Sequence, residues 1–162
     1  MTFSEIYTIG HSNVDAITFL DLLKEKDIFT LIDVRSSPFS KYAPHFNREE
    51  LKKSLEQRGI EYIYMGDRLG GKPSDSSCYV ADKVSYPKIA NKKWYQDALS
   101  QLIEISSSKK TTIMCSEEDP SNCHRNLLIS QSLLNRGLAV MHIRADGQLE
   151  KAKINSLQTT LY

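Results

Sequence analysis

Apolar positions along the chain fall into short continuous runs separated by stretches of helical spacing. Ile6-Tyr7-Thr8-Ile9-Gly10 is a β-prone run closed by glycine. Asp15 stands where an N-cap belongs, ahead of Ile17, Leu20 and Leu23 on one helical side. Phe29 to Val34 is almost continuously apolar, as in a strand covered on both faces, and Arg35-Ser36-Ser37-Pro38 stops it. Asn47 with Glu50 three residues on resembles a capping box, Leu51 and Leu55 give a buried stripe, and Gly59 occupies a C′ position. A third strand is expected over Ile60 to Met65, followed by Gly66-Asp67-Arg68-Leu69-Gly70-Gly71-Lys72-Pro73. From Lys72 to about Asn91 no regular period exists, and so long an irregular stretch in a compact domain suggests a lid.

Tyr95, Ala98, Leu99, Leu102 and Ile103 mark the next helix, which ends in Ser106-Ser107-Ser108-Lys109-Lys110. Thr111 to Cys115 reads as a fourth strand, followed by the acidic loop Ser116-Glu117-Glu118-Asp119-Pro120. Ser121 is the expected cap of a helix that carries Leu127, Leu128 and Leu134 inward and stops at Gly137, and Leu138 to Ile143 is the last strand. Signals after Gly147 are weak, and a loosely structured tail is expected beyond about residue 150. Alternating strands and helices imply one α/β domain over residues 1–162, three layers deep, with a mostly parallel sheet of about five strands.

Bulk properties narrow the function classes. A chain of 162 residues with 40% hydrophobic and 25% charged content can bury one core without staples. A net charge of +1 supplies no global field toward nucleic acid or an anionic membrane. No apolar run approaches the ~20 residues of a membrane span, and the opening Met1-Thr2-Phe3-Ser4-Glu5 lacks the form of an export signal. A cytoplasmic location without membrane contact is therefore expected. Three irregularly spaced cysteines point to reduced thiols rather than a disulfide framework.

In a parallel sheet all strand exits share one rim, where open α/β folds bind ligands. Here those exits carry His11-Ser12-Asn13, Asp33-Val34-Arg35, Leu69-Gly70-Gly71-Lys72, Cys115-Ser116-Glu117 and Asp146-Gly147. Cys115 ends a strand, while Cys123-His124-Arg125 opens the following helix, whose positive end favours a thiolate. A thiolate there would draw on His11 or His142 rather than on His124, which diverges by about 100° from Cys123 in a helix. Arg125, Arg35 and Lys72 are candidate anion grips, and Gly70-Gly71 offers backbone N–H groups to an anion. Glu117 is a candidate general acid or base, and Asp33 an orienting carboxylate toward Arg35 or His11. Cys115, Cys123 and a histidine supply three potential zinc ligands, but no paired metal-ligand spacing exists, so neither metal nor other cofactor is assigned. Lys92-Lys93-Trp94-Tyr95, Lys41-Tyr42 and Tyr79 place cations beside aromatic rings, a chemistry that stacks bases.

Thr8-Ile9-Gly10-His11-Ser12-Asn13, Asp33-Val34-Arg35 with Pro38, Leu69-Gly70-Gly71, Met114-Cys115-Ser116-Glu117 with Asp119-Pro120, Cys123-His124-Arg125, and His142-Ile143 with Asp146-Gly147 occur in one order over nearly the whole chain. This set closely resembles the domain-of-unknown-function family 488. The resemblance implies an α/β domain and carries no catalytic assignment. A looser likeness is to rhodanese domains: Leu31 to Arg35 is similar to their early strand, and Thr112 to Cys115 to the strand that presents their sulfur-carrying cysteine. Here the stretch from Cys115 to Arg125 is longer and carries three acids.

Three functional expectations follow. The first is an enzyme, a hydrolase or transferase, acting at the rim on a phosphate-bearing or nucleotide-like substrate, nucleic acid being one candidate. Cys115 and Glu117 would do the chemistry, with His11 and Asp33 orienting; Arg35, Gly70, Gly71, Lys72, Cys123, His124, Arg125 and Asp146 would bind. The second is a sulfur carrier or cysteine-nucleophile transferase, and the third a non-enzymatic nucleotide- or protein-binding module. Oligomeric state is not encoded in any of these patterns.

Overall fold

A computed structural model describes residues 5–155 of the chain. Its frame is a six-stranded sheet in the order β3-β2-β6-β1-β7-β8. The strands are β1 (Glu5–Gly10), β2 (Thr30–Asp33), β3 (Glu61–Tyr64), β6 (Thr111–Cys115), β7 (Ala139–Ile143) and β8 (Leu149–Lys151), and a separate hairpin holds β4 (Tyr79–Val80) and β5 (Lys83–Val84). The first five sheet strands run parallel, and β8 pairs antiparallel with β7. The sheet thus has one strand more than the expected five. Leu149, Glu150 and Lys151 are all exposed, so no burial pattern marks β8, and backbone pairing holds it at the edge. Residues 156–162 of the expected tail lie outside the described residues.

Side chains alternate across the strands and feed two cores. Tyr7, Ile9, Leu31, Met114 and Ile143 pack with Phe19, Leu20 and Leu23 of α1 (Ala16–Glu25) and with Leu51 and Leu55 of α2 (Arg48–Gln57). On the other core, Ile6, Ile32, Ile113 and Val140 pack with Leu69 of the one-turn α3 (Gly66–Leu69) and with Tyr95, Ala98, Leu99 and Leu102 of α5 (Lys93–Ser108). Leu128 and Leu133 join them from a helix that begins as a π-helix at Arg125–Ser130 and continues as α6 (Gln131–Asn135). Each fully buried Leu or Ile stabilises by about 1.5–3 kcal/mol relative to exposure. Strands flanked on both faces explain why β2 and β6 are buried at every position.

Two caps depart from the sequence reading. Asp15 caps α1 as expected, accepting from the Thr18 N–H at 2.9 Å. Asn47 precedes α2 but makes no cap bond, because its side chain accepts from the Ser40 N–H at 2.7 Å instead. Ser121 caps nothing: Asp119 accepts from both its N–H and its hydroxyl, which builds a 3-10 turn over Pro120–Asn122. The stretch 72–91 is also more ordered than a featureless lid. It contains a 3-10 turn at Ser76–Cys78, the β4–β5 hairpin and α4 (Tyr86–Ala90), anchored by buried Cys78 and Ile89.

Candidate active site

The carboxyl ends of β1, β2 and β6 are tied together by main-chain bonds. His11 N–H donates to the Cys115 carbonyl at 3.1 Å, Ser12 N–H to Ser116 at 2.7 Å, and Val34 N–H to Met114 at 3.0 Å. Gly10 permits this closeness, since a Cβ there would collide with the main-chain carbonyl of Glu117. Ser12 adopts φ 46°, in the left-handed region that costs a non-glycine residue about 1–2 kcal/mol. His11 Nδ1 lies 2.6 Å from the Ser12 carbonyl that this turn presents.

Asp33 is fully buried and accepts from four donors: Arg35 N–H at 3.1 Å, Arg35 Nε at 2.9 Å, Arg35 Nη2 at 2.8 Å and the Tyr62 hydroxyl at 2.7 Å. Arg35 Nη1 then reaches His11 Nε2 at 3.2 Å. Because guanidinium only donates, Nε2 accepts and the His11 proton resides on Nδ1, donated to Ser12. Burial, opposed by that bond and aided by the Arg35 charge, holds the His11 pKa down to about 4, so the imidazole is neutral at pH 7. Burial and then the Asp33 charge push the Tyr62 hydroxyl pKa upward, which keeps it a donor.

Arg125 is the largest completely buried side chain. Its Nη1 donates to the Glu117 carbonyl, its Nη2 to the Glu118 carbonyl at 2.9 Å and its Nε to Thr8 Oγ1 at 3.0 Å. Thr8 Oγ1 in turn lies 2.6 Å from His142 Nδ1, and His142 Nε2 lies 3.2 Å from Asn126 Oδ1. One assignment satisfies the chain: Thr8 donates to Nδ1, and Nε2–H donates to Asn126. Burial lowers the Arg125 pKa to about 10 and that of His142 to about 4, so arginine stays charged and histidine neutral at pH 7. Among the described residues no carboxylate forms a salt bridge with Arg125, and Glu118 binds Arg144 instead, at 2.9 Å. The guanidinium is therefore not a free anion grip. It holds the 117–118 loop by its carbonyls, and its Nη1 sits 3.2 Å from Cys115 Sγ.

The sulfurs of Cys115 and Cys123 lie in contact with each other, while Cys78 is a free, buried thiol. The excursion over residues 116–122 between Cys115 and Cys123 curls back through the Pro120–Asn122 turn. Cys123 lies just before the helical segment, its carbonyl accepting from Asn126 and Leu127 N–H at 3.0 and 2.9 Å. His124 Nε2 lies 3.0 Å from the Val34 carbonyl, and burial holds its pKa down to about 4.

A cavity of about 330 Å³ opens above the two sulfurs. It is lined by Cys115, Cys123 and His124, by Arg35, Gly71 and Lys72, and by Glu117. His11, Asp33 and Arg125 stand behind these walls, and Gly70 packs so closely on Ser36 that a Cβ would overlap its hydroxyl. Lys72 N–H is taken by Ser36 Oγ at 2.9 Å, so this backbone donor serves the loop rather than a ligand. Asp146 lies elsewhere, in a surface hollow with Glu118, Arg144 and Glu150. Ser36, Ser37, Tyr86 and Asn122 line the cavity without having been singled out from sequence. Tyr86 had one signal, its place in the 72–91 stretch, whose Lys72, Val84 and Tyr86 line the cavity. Burial and then the Glu117 charge push its hydroxyl pKa upward.

The family model described as Domain of unknown function DUF488 matches residues 15–131. The chain belongs to this family. The DUF488 match takes in Asp33, Arg35, Cys115, Cys123 and Arg125, whereas Thr8, His11 and His142 lie outside the matched range. No curated protein and no solved structure matches the chain. Among the described residues no helix is long and apolar enough to cross a membrane, and no cluster of three or more His, Cys, Asp or Glu side chains is arranged to hold a metal ion.

Proposed function

We propose that this protein is an enzyme of the cysteine-nucleophile transferase type, acting on a small molecule in the cavity above Cys115. The observation that carries this reading is the Arg125 guanidinium, buried without a salt-bridged carboxylate among the described residues and 3.2 Å from Cys115 Sγ. A cation there favours the anionic form of the sulfur, which is the nucleophile. In the reduced protein the Cys115 thiolate attacks the substrate's electrophilic atom; the new bond to sulfur forms as the leaving group departs with its electron pair. A second nucleophile then takes the transferred group and returns the thiolate.

Cavity volume supports a small substrate, being near the low end of ligand sites at ~300–1,000 Å³. Lys72 supplies a cation at the wall for a substrate carrying negative charge, and Glu117 with Tyr86 supplies an acid–base pair. The looser rhodanese likeness accords with this arrangement, a strand handing a cysteine to a loop and then to a helix. The phosphate-bearing substrate expected from the sequence draws less support, since Arg125 and most Arg35 donors are spent on protein acceptors.

The test is site-resolved alkylation of the reduced protein by iodoacetamide across pH, read by peptide mass. Cys115 is expected to react at pH values well below the ordinary thiol range near 8.5, and ahead of Cys78, whose thiol pKa burial pushes up. A Cys115 as slow as Cys78 at every pH would remove the basis of the proposal.

A further inference from the structure

The nucleophile just proposed has a second sulfur in contact with it, and that pairing carries an activity of its own. Cys115 and Cys123 both face the cavity, but their surroundings differ. Arg125 Nη1 stands 3.2 Å from Cys115 Sγ, whereas Cys123 Sγ has neutral His124 Nδ1 at 4.0 Å. The asymmetry assigns the roles: the sulfur beside the buried cation attacks, and the other waits within reach. Cys123 also sits between a 3-10 turn and a π-helix, and π segments recur at functional sites.

We infer that the pair is a thiol–disulfide exchange centre, with Cys115 attacking and Cys123 resolving, and that its substrates are small-molecule disulfides. This rests on Cys115 being the nucleophile. In the first step the Cys115 thiolate attacks one sulfur of the substrate R–S–S–R, forming Cys115–S–S–R and releasing one thiolate RS⁻. In the second, the Cys123 thiolate attacks Cys115 Sγ, forming the Cys115–Cys123 disulfide and releasing the second RS⁻. The substrate gains two electrons and the protein dithiol loses two. An external dithiol reductant restores the starting state by the same exchange. The contact between the two sulfurs places Cys123 within reach of Cys115 Sγ for the second step.

A cavity of about 330 Å³ with Ser36, Ser37, Lys72, Glu117 and Asn122 in its wall fits a compact polar disulfide rather than a folded protein strand. Buried Cys78 takes no part, since it lines none of this cavity.

The test uses reduced full-length protein, hydroxyethyl disulfide as the probe, and mass mapping of each cysteine. Wild type should release two mercaptoethanol molecules per chain and end with Cys115 bonded to Cys123. Cys123→Ser should release one and retain mercaptoethanol on Cys115, and Cys115→Ser should lose the fast reaction. With dithiothreitol in excess, wild type should turn over the probe catalytically and Cys115→Ser should not. If wild type retains mercaptoethanol on Cys115 as Cys123→Ser does, Cys123 does not resolve and this inference falls while the nucleophile reading stands. If Cys115 stays unmodified in wild type and Cys123→Ser alike, both fall.

Discussion

Lowering the pH from 7 to 5 should remove a large part of the folding free energy, because three imidazoles are buried in the neutral form. His11, His124 and His142 each have a folded pKa near 4, set first by burial, against about 6.5 in an unfolded chain. The unfolded state therefore binds more protons between these values, and stability falls as pH falls through that window. At pH 5 each group favours unfolding by about 2 kcal/mol, and the three together by about 6 kcal/mol. That is comparable with the whole stability of a typical domain, ~5–15 kcal/mol. Glu118 and Asp119, whose pKa values are lowered by hydrogen bonds first, act in the same direction, but only near and below their ordinary values of 4.5 and 3.8. Urea unfolding followed by circular dichroism at several pH values measures the effect. Uptake of nearly three protons on unfolding is expected near pH 5, reduced by about one in His142→Gln. A change below about 1 kcal/mol between pH 7 and 5 would refute the buried-neutral assignment.

Two substitutions probe the walls of the site. Asp33→Asn leaves Arg35 charged and buried without its partner, and should cost about 3–5 kcal/mol in urea unfolding at pH 7; a cost under 1 kcal/mol would mean that Arg35 finds water. Gly10→Ala places a Cβ against the Glu117 carbonyl, so a destabilisation of about 1–3 kcal/mol is expected together with slower alkylation of Cys115, and unaltered stability would contradict the close approach.

The frame of the molecule was legible where local chemistry and burial agree. Thr111–Cys115 is a strand with the bounds its apolar run implies, and Asp15 and the left-handed Gly59 and Gly137 end or start helices as their types dictate. Legibility failed where one polar side chain outcompetes another for a backbone donor. Asp119 takes the Ser121 N–H, and Asn47 is drawn away to Ser40. Convergence of His11, Arg35 and Cys115 on one rim follows from parallel strands. The role of Arg125 does not, because its partners are main-chain carbonyls of Glu117 and Glu118, which leave no mark in the residue pattern. The meeting of Cys115 with Cys123 was equally hidden, since it depends on how residues 116–122 fold back.

Under the proposed function, the buried guanidinium makes Cys115 the reactive sulfur. At an effective dielectric of about 20, a unit charge about 4 Å away is worth about 4 kcal/mol before desolvation is set against it. Iodoacetamide rates at Cys115 in reduced Arg125→Met and Arg125→Lys at pH 6, with folding verified by circular dichroism, read that energy. The account predicts at least a tenfold loss in Arg125→Met, about 1.4 kcal/mol, with a smaller loss when lysine keeps the charge. Wild-type rates in a folded Arg125→Met protein would contradict it.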